Sequence, residues 1–165
     1  MMTETKSGAD PRPVEFTPKR IILPIGGRTI PRKAAELACR IARREGAVIH
    51  AMTVVEVPRG LPITDVRDEM AMQADEWLAD IKVIAKKLEV QCELVIVQSR
   101  EAGPAIVDEA ESWDADLIVL GVPYREKFEE FQLGKTAAYI LHHAACQVLM
   151  LRDWADEAAS PHEGT

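Results

Sequence analysis

Positive charge is in short supply in this chain of 165 residues: Lys and Arg total 20 against 27 Asp and Glu, a formal net charge of -7. A surface of that sign excludes a general binder of nucleic acid or anionic membranes, because both demand net cationic surface. Cysteine is scarce as well. Cys39, Cys92 and Cys146 are scattered and odd in number, which gives neither a disulfide framework nor a zinc site and suits a reducing compartment. No apolar run approaches the ~20 residues of a membrane span, and the opening MMTETKSGADPRP has no apolar signal-peptide core. The expectation is a cytoplasmic protein with no membrane insertion and no nucleic-acid partner. What remains is ordinary globular material, 47% hydrophobic and 28% charged, enough at this length to build one core without staples.

Residues 1–18 carry Pro11, Pro13 and Pro18 among polar residues and read as a flexible N-terminal arm, and 153–165 read as an acidic tail. Between them, in 19–152, short apolar runs alternate with helix-period segments. RIILPI (20–25) is too short for a helix and reads as a buried strand. A helix over about 31–45 follows, with Pro31 in its first turn and Gly46 at its end. AVIHAMTVVEV (47–57) is the second strand; a long helix over 65–88 has a stripe from Val66 and Met70 through Trp77 and Ile81 to Leu88. CELVIVQ (92–98), a helix started by Pro104, ADLIVLG (115–121), a helix over 135–145 and QVLML (147–151) complete the series. Strands apolar on both faces, alternating with helices, predict an α/β fold: a five-stranded parallel sheet with helices on both faces and right-handed crossovers. Ligands of such sheets sit beyond the carboxyl ends of the strands, so 26–30, 58–64, 99–103 and 121–136 are the segments to interrogate.

Several known site chemistries fail at those segments. Gly26 and Gly27 open a turn into a helix, a place where bare backbone N–H groups favour an anion, but Arg28 breaks the dinucleotide pattern G-x-G-x-x-G. The SGGxDS loop of ATP pyrophosphatases needs a leading serine where Ile25 stands, and an acid that does not follow. The Gly134-Lys135-Thr136 ending has the tail of a Walker A loop, but Glu129 stands where its first glycine belongs. A receiver domain needs acids after the first strand and an aspartate after the third, and finds Gly26-Gly27 and Gln98-Ser99. His50, inside the second strand, reads as a satisfied core or edge residue; His142 and His143 read as structural, near a helix C-terminus.

The arrangement resembles the universal stress protein family over about 130 residues. That family's first strand ends in Asp-Gly-Ser, and its fourth leads into G-x-x-G, nine residues, then G-[ST] and a closing helix and strand. Here Gly121 ends ADLIVLG, nine residues separate Tyr124 from Gly134, and TAAYILHHAACQVLML matches the closing helix and strand. The resemblance implies an adenine nucleotide alpha hydrolase-like sheet of order 3-2-1-4-5. In ATP-binding members it implies that the acid contacts the adenosine part while the glycines and hydroxyl residue hold ribose and phosphates. This chain departs three times: Gly26 replaces the acid, Tyr124 the second glycine, and Lys135 the hydroxyl residue, with Thr136 one step late.

Each departure removes a contact. A tyrosine blocks the close backbone approach that glycine permits, and the missing acid takes away a strong acceptor. The connecting loop sets Glu126, Glu129 and Glu130 against Arg125 and Lys127, a poor lining for a triphosphate; Arg28 and Lys135 together suit a smaller anion. REKFEEFQL reads as a short helix, with Phe128, Phe131 and Leu133 packed over the strand ends.

The expected function is a stress-linked regulatory or scaffolding module, not an enzyme, with no cofactor required. The alternative is a nucleotide-binding protein, for ATP or a smaller anion, using Gly26, Gly27, Gly121, Gly134, Lys135 and Thr136. A third reading is a relative of the stress-protein domains of some transporters, acting on a protein partner. The resemblance also makes the fifth strand a sheet edge. Val148, Leu149, Met150 and Leu151 lie there with no internal proline or lysine to blunt it, so a homodimer through that edge is expected.

Overall fold

A computed structural model describes residues 15–26, 32–64, 68–123, 126–127, 130–131 and 133–153. The elements are β1 (Arg20–Pro24), α1 (Arg32–Glu45), β2 (Val48–Glu56), α2 (Asp68–Lys87), β3 (Cys92–Ser99), α3 (Ala102–Ser112), β4 (Leu117–Pro123), β5 (Glu126–Lys127), β6 (Glu130–Phe131), α4 (Lys135–His143) and β7 (Gln147–Asp153). Five strands form one parallel sheet in the order β3-β2-β1-β4-β7, which is the expected 3-2-1-4-5 with β7 as the fifth strand.

Alternation along the strands splits the core into two layers. Ile21, Leu23, Ile49, Ala51, Leu117 and Val119 face one side, where Ala35, Ala38 and Cys39 of α1 and Leu78, Ile81 and Ala85 of α2 cover them. Ile22, Met52, Ile118 and Leu120 face the other, against Ile106, Val107 and Ala110 of α3 and Ala137 and Ile140 of α4. Both faces are buried, which is why these strands read as continuous apolar runs.

The helix ends follow local chemistry. Asp68 and Glu69 open α2 and Lys86 and Lys87 close it, each sign complementing the helix dipole. Gly46, at φ +66, ends α1 as the sequence predicts, and Ala47 N–H then bonds back to the Ala42 carbonyl at 2.9 Å. Glu89 (φ 57) and Asp114 (φ 52) end α2 and α3 with the same six-to-one bond, Val90 to Ala85 and Ala115 to Ala110, although neither is glycine. At the start of the sheet, the Asp116 carboxylate accepts from the backbone N–H groups of Lys19 (2.8 Å) and Arg20 (3.1 Å), fastening the entry of β1 to that of β4.

Four expectations need correction. The stretch REKFEEFQL contains no helix among its described residues: β5 and β6 pair antiparallel, Glu126 with Phe131 and Lys127 with Glu130. The two short strands satisfy backbone groups by pairing across the ladder instead of along a helix; Phe128 lies outside the described residues. The third helix begins at Ala102, before Pro104, which sits in the first turn where its missing N–H has no intrahelical role. Met70 is exposed: it lies in the first turn of α2, one turn ahead of Ala74, where the burial of that helix begins. His50 is buried, but neither ring nitrogen makes a well-aligned hydrogen bond. Glu109 Oε1 lies 3.1 Å from Nε2 and Glu93 Oε2 3.5 Å from Nδ1, with the ring tilted against Trp113 at 4.8 Å.

Candidate functional site

The length mismatch between neighbouring strands creates the site. β1 pairs with β2 only as far as Pro24 with Met52, followed by Ile25 N–H to the Met52 carbonyl at 2.7 Å. β2 runs on to Glu56 beside β3. β4 pairs with β1 only at Leu117 and Ile118 but continues to Pro123 beside β7. Past the end of β1, β2 and β4 therefore face each other across a gap with no strand between them. This is the switch point of the sheet, where the chain leaves β1 for one face and β4 for the other.

A cleft of about 530 Å³ occupies this gap, within the size range of small-molecule sites. It is bordered by Pro24 to Gly26, Met52 to Glu56, Leu120 to Val122 and Leu133 to Ala137, with Met70, Gln73 and Trp77 of α2 and Ala102 and Ile106 of α3. Of the residues singled out from sequence, Gly26, Gly121, Gly134, Lys135 and Thr136 converge on this cleft. Gly27, Arg28 and Tyr124 lie outside the described residues.

Two helix N-termini point here, and they differ. At α3, Glu101 in the cap position makes no side-chain cap, and the Ala102 N–H is taken by Glu56 Oε1 at 2.9 Å. That carboxylate already sits where an anion would be favoured. At α4, the cap residue Gly134 has no side-chain cap, and its carbonyl accepts the Ala138 N–H at 3.0 Å. The first-turn amides of α4 carry no side-chain oxygen from their own cap, and Lys135 stands exposed beside them. Anion affinity is thus concentrated at one of the two helices.

Two of the cleft glycines, Gly26 and Gly134, are not forced by their described neighbours. Gly134 has φ -64, and a Cβ placed on it meets nothing within 4 Å. A Cβ on Gly26 would touch only the Trp77 ring, at 4.0 Å. Both positions have room for a side chain, and both lie on the cleft.

The sequence reading missed Thr53, Glu56, Gln73 and Trp77. Two signals were present. Thr53 is the one polar residue in the run AMTVV, and Glu56 is an acid at the carboxyl end of a strand.

Elsewhere the reactive residue types are quiet. Burial pushes the Cys39 thiol up to about 12, with Cys92 and Glu36 adding to it, and pushes Cys92 up to about 11; burial raises Cys146 as well. Thiols held protonated are packing groups and not nucleophiles. Among the described residues no group of three or more His, Cys, Asp or Glu side chains is placed to hold a metal ion, and no helix is long and apolar enough to cross a membrane.

Comparison with known proteins follows the same lines. A universal stress protein of Methanocaldococcus jannaschii is 29% identical over 140 residues, 81% of this chain and 82% of that protein. One from Synechocystis is 38% identical over 85 residues, so the match spans about half of each, 52% and 54%. Among solved structures, the universal stress protein of Archaeoglobus fulgidus in complex with dAMP superposes with a TM-score of 0.64 at 22% identity, covering 82% of this chain and 98% of that one. A family protein from Arabidopsis thaliana with AMP bound gives 0.62 at 18% identity, covering 88% and 97%. The sequence profile of the Universal stress protein family matches residues 17–152, most of the chain. The chain belongs to the universal stress protein family.

Proposed function

We propose that the chain is a regulatory or scaffolding module of the stress response, cytoplasmic, whose cleft takes a nucleoside monophosphate weakly and does not turn it over. The observation that carries this is the unequal pair of helix N-termini. One phosphate finds the open amides of α4 with Lys135 beside them, whereas a longer polyphosphate reaching toward α3 meets the Glu56 carboxylate. Among the described residues Glu56 is also the one acid bordering the cleft, and its engagement at Ala102 makes it a structural cap rather than a base. The family relatives whose structures hold dAMP and AMP support a ligand with one phosphate.

Calorimetry with AMP and Mg-ATP tests the reading. ATP is expected to bind no more tightly than AMP and at millimolar strength or weaker. Lys135→Ala should weaken AMP by about 5- to 20-fold, the worth of a charged hydrogen bond in a partly wet site. Micromolar ATP binding, or AMP binding indifferent to Lys135, overturns it.

A gain-of-binding variant follows from Gly26. Among the described residues there is room for a side chain there, and the family resemblance implies an adenosine-contacting acid at that position. Gly26→Asp should therefore raise AMP affinity by roughly ten-fold, since a carboxylate accepting from the ligand is a charge-assisted bond. A titration showing no gain in a folded variant counts against the assigned orientation of the nucleoside. We also infer that the functional unit is a homodimer joined through β7.

A further inference from the structure

We infer that the Thr53 hydroxyl is the hydrogen-bonding anchor for the base of the bound nucleotide, an inference that rests on the nucleotide reading of the cleft. Thr53 is 1% exposed, borders the cleft, and has no hydrogen-bond partner for its Oγ1 among the described residues. Buried polar atoms are almost always paired, and an orphan is costly. Valine would fill the same space without that cost, and the next two residues of the strand, Val54 and Val55, are valines. A hydroxyl kept at this point of an apolar strand is accounted for if its partner arrives with the ligand.

The location agrees. Thr53 follows Met52, the last residue of β2 paired with β1, so it stands where the gap between β2 and β4 opens. By alternation it shares the strand face of Ile49 and Ala51, which α2 covers, and the Trp77 indole of α2 also borders the cleft. The open N-terminus of α4 lies on the opposite face of the sheet. A ligand crossing the gap therefore presents its flat, weakly polar end to the Thr53 and Trp77 side and its anionic end to Gly134 and Lys135. A base joined through a sugar to one phosphate has that chemistry. Threonine both donates and accepts, so its hydroxyl meets a ring nitrogen or an exocyclic amine, and rotation about χ1 exchanges methyl for hydroxyl at the cleft wall.

The test uses the full chain and three variants, with AMP and ribose 5-phosphate as probes followed by NMR titration, and urea unfolding without ligand. Thr53→Val should unfold at equal or higher urea than wild type, because the orphan hydroxyl is gone. It should bind AMP about 3- to 10-fold more weakly, the net worth of one hydrogen bond. Ribose 5-phosphate, which has no base, should bind both proteins alike, and Thr53→Ser should retain AMP affinity within about 2-fold. Lys135→Ala should weaken both probes. If Thr53→Val binds AMP as wild type does, or loses stability because its hydroxyl is engaged within the fold, the anchor is refuted while the nucleotide reading stands. If wild type binds neither probe, that reading falls and the anchor falls with it.

Discussion

Gly103→Ala should destabilise the protein by about 1–2 kcal/mol, although alanine is the better helix former. A Cβ on Gly103 would lie 2.8 Å from Tyr139 Cβ, 2.9 Å from its Cγ and 3.0 Å from its Cδ1. Real Cβ atoms do not approach one another that closely, so α3 and α4 would have to part. Overpacking of this kind costs about 1–3 kcal/mol, and the gain in helix propensity returns up to ~1 kcal/mol of it. Tyr139 has little freedom to yield, because its Cβ is tied to the helix backbone. Its ring stacks on His143 at 3.9 Å and 17°, and His143 Nδ1 contacts the Tyr139 carbonyl at 3.0 Å. At this size the loss corresponds to roughly 2–4 °C in Tm per kcal/mol. The same displacement moves Lys135 and the α4 amides away from the cleft, so AMP affinity should fall in the folded variant. Thermal unfolding decides the matter, and a variant as stable as wild type would show that the interhelical contact is loose.

The second large effect concerns assembly. β7 pairs with β4 on one side and with no other described strand, and Met150 on it and Leu141 on α4 are exposed. An apolar edge with unpaired backbone groups invites a second copy, and a two-fold axis closes the pair. Wild type should elute and scatter as a dimer at micromolar concentration. Leu149→Pro removes one backbone donor but also disturbs a side chain packed on the core. Met150→Glu leaves the backbone intact and puts a charge on the exposed position, and it should give a folded monomer by light scattering and circular dichroism. A monomeric wild type refutes the dimer. A Met150→Glu protein that stays dimeric moves the interface elsewhere, for which the β3 edge with exposed Leu94 and Ile96 is the competing surface.

The sheet was legible because its information is periodic. Runs such as RIILP and LIVLGVP hide both faces, and strand order came with the resemblance to a known family. The hairpin was misread because Phe128 and Phe131 satisfy a helical spacing as readily as a turn, and no local feature arbitrates. The anion end of the cleft was legible from Gly134, Lys135 and Thr136, which are adjacent in sequence. The other end was not. Thr53, Glu56 and Trp77 come from β2 and α2, and only the premature end of β1 brings them to one cavity. Gly103 was equally silent, since its reason is a residue on another helix.

The place of β1 in the sheet has a consequence during synthesis. Of the five sheet strands it is made first, and it ends in the middle of the sheet, with the N–H groups of Lys19 and Arg20 at its entry fastened to a carboxylate 97 and 96 residues later. β2 follows quickly and covers one edge. The other edge of RIILP must wait for β4, which at ordinary elongation rates is roughly 5–20 s. For that interval the nascent chain carries an apolar strand with one open side, and α1, packed on its face, is made early enough to shield that face. The vulnerable moment of this protein therefore precedes completion of its own centre, and it is there, before any ligand or second copy is relevant, that a chaperone would find its substrate.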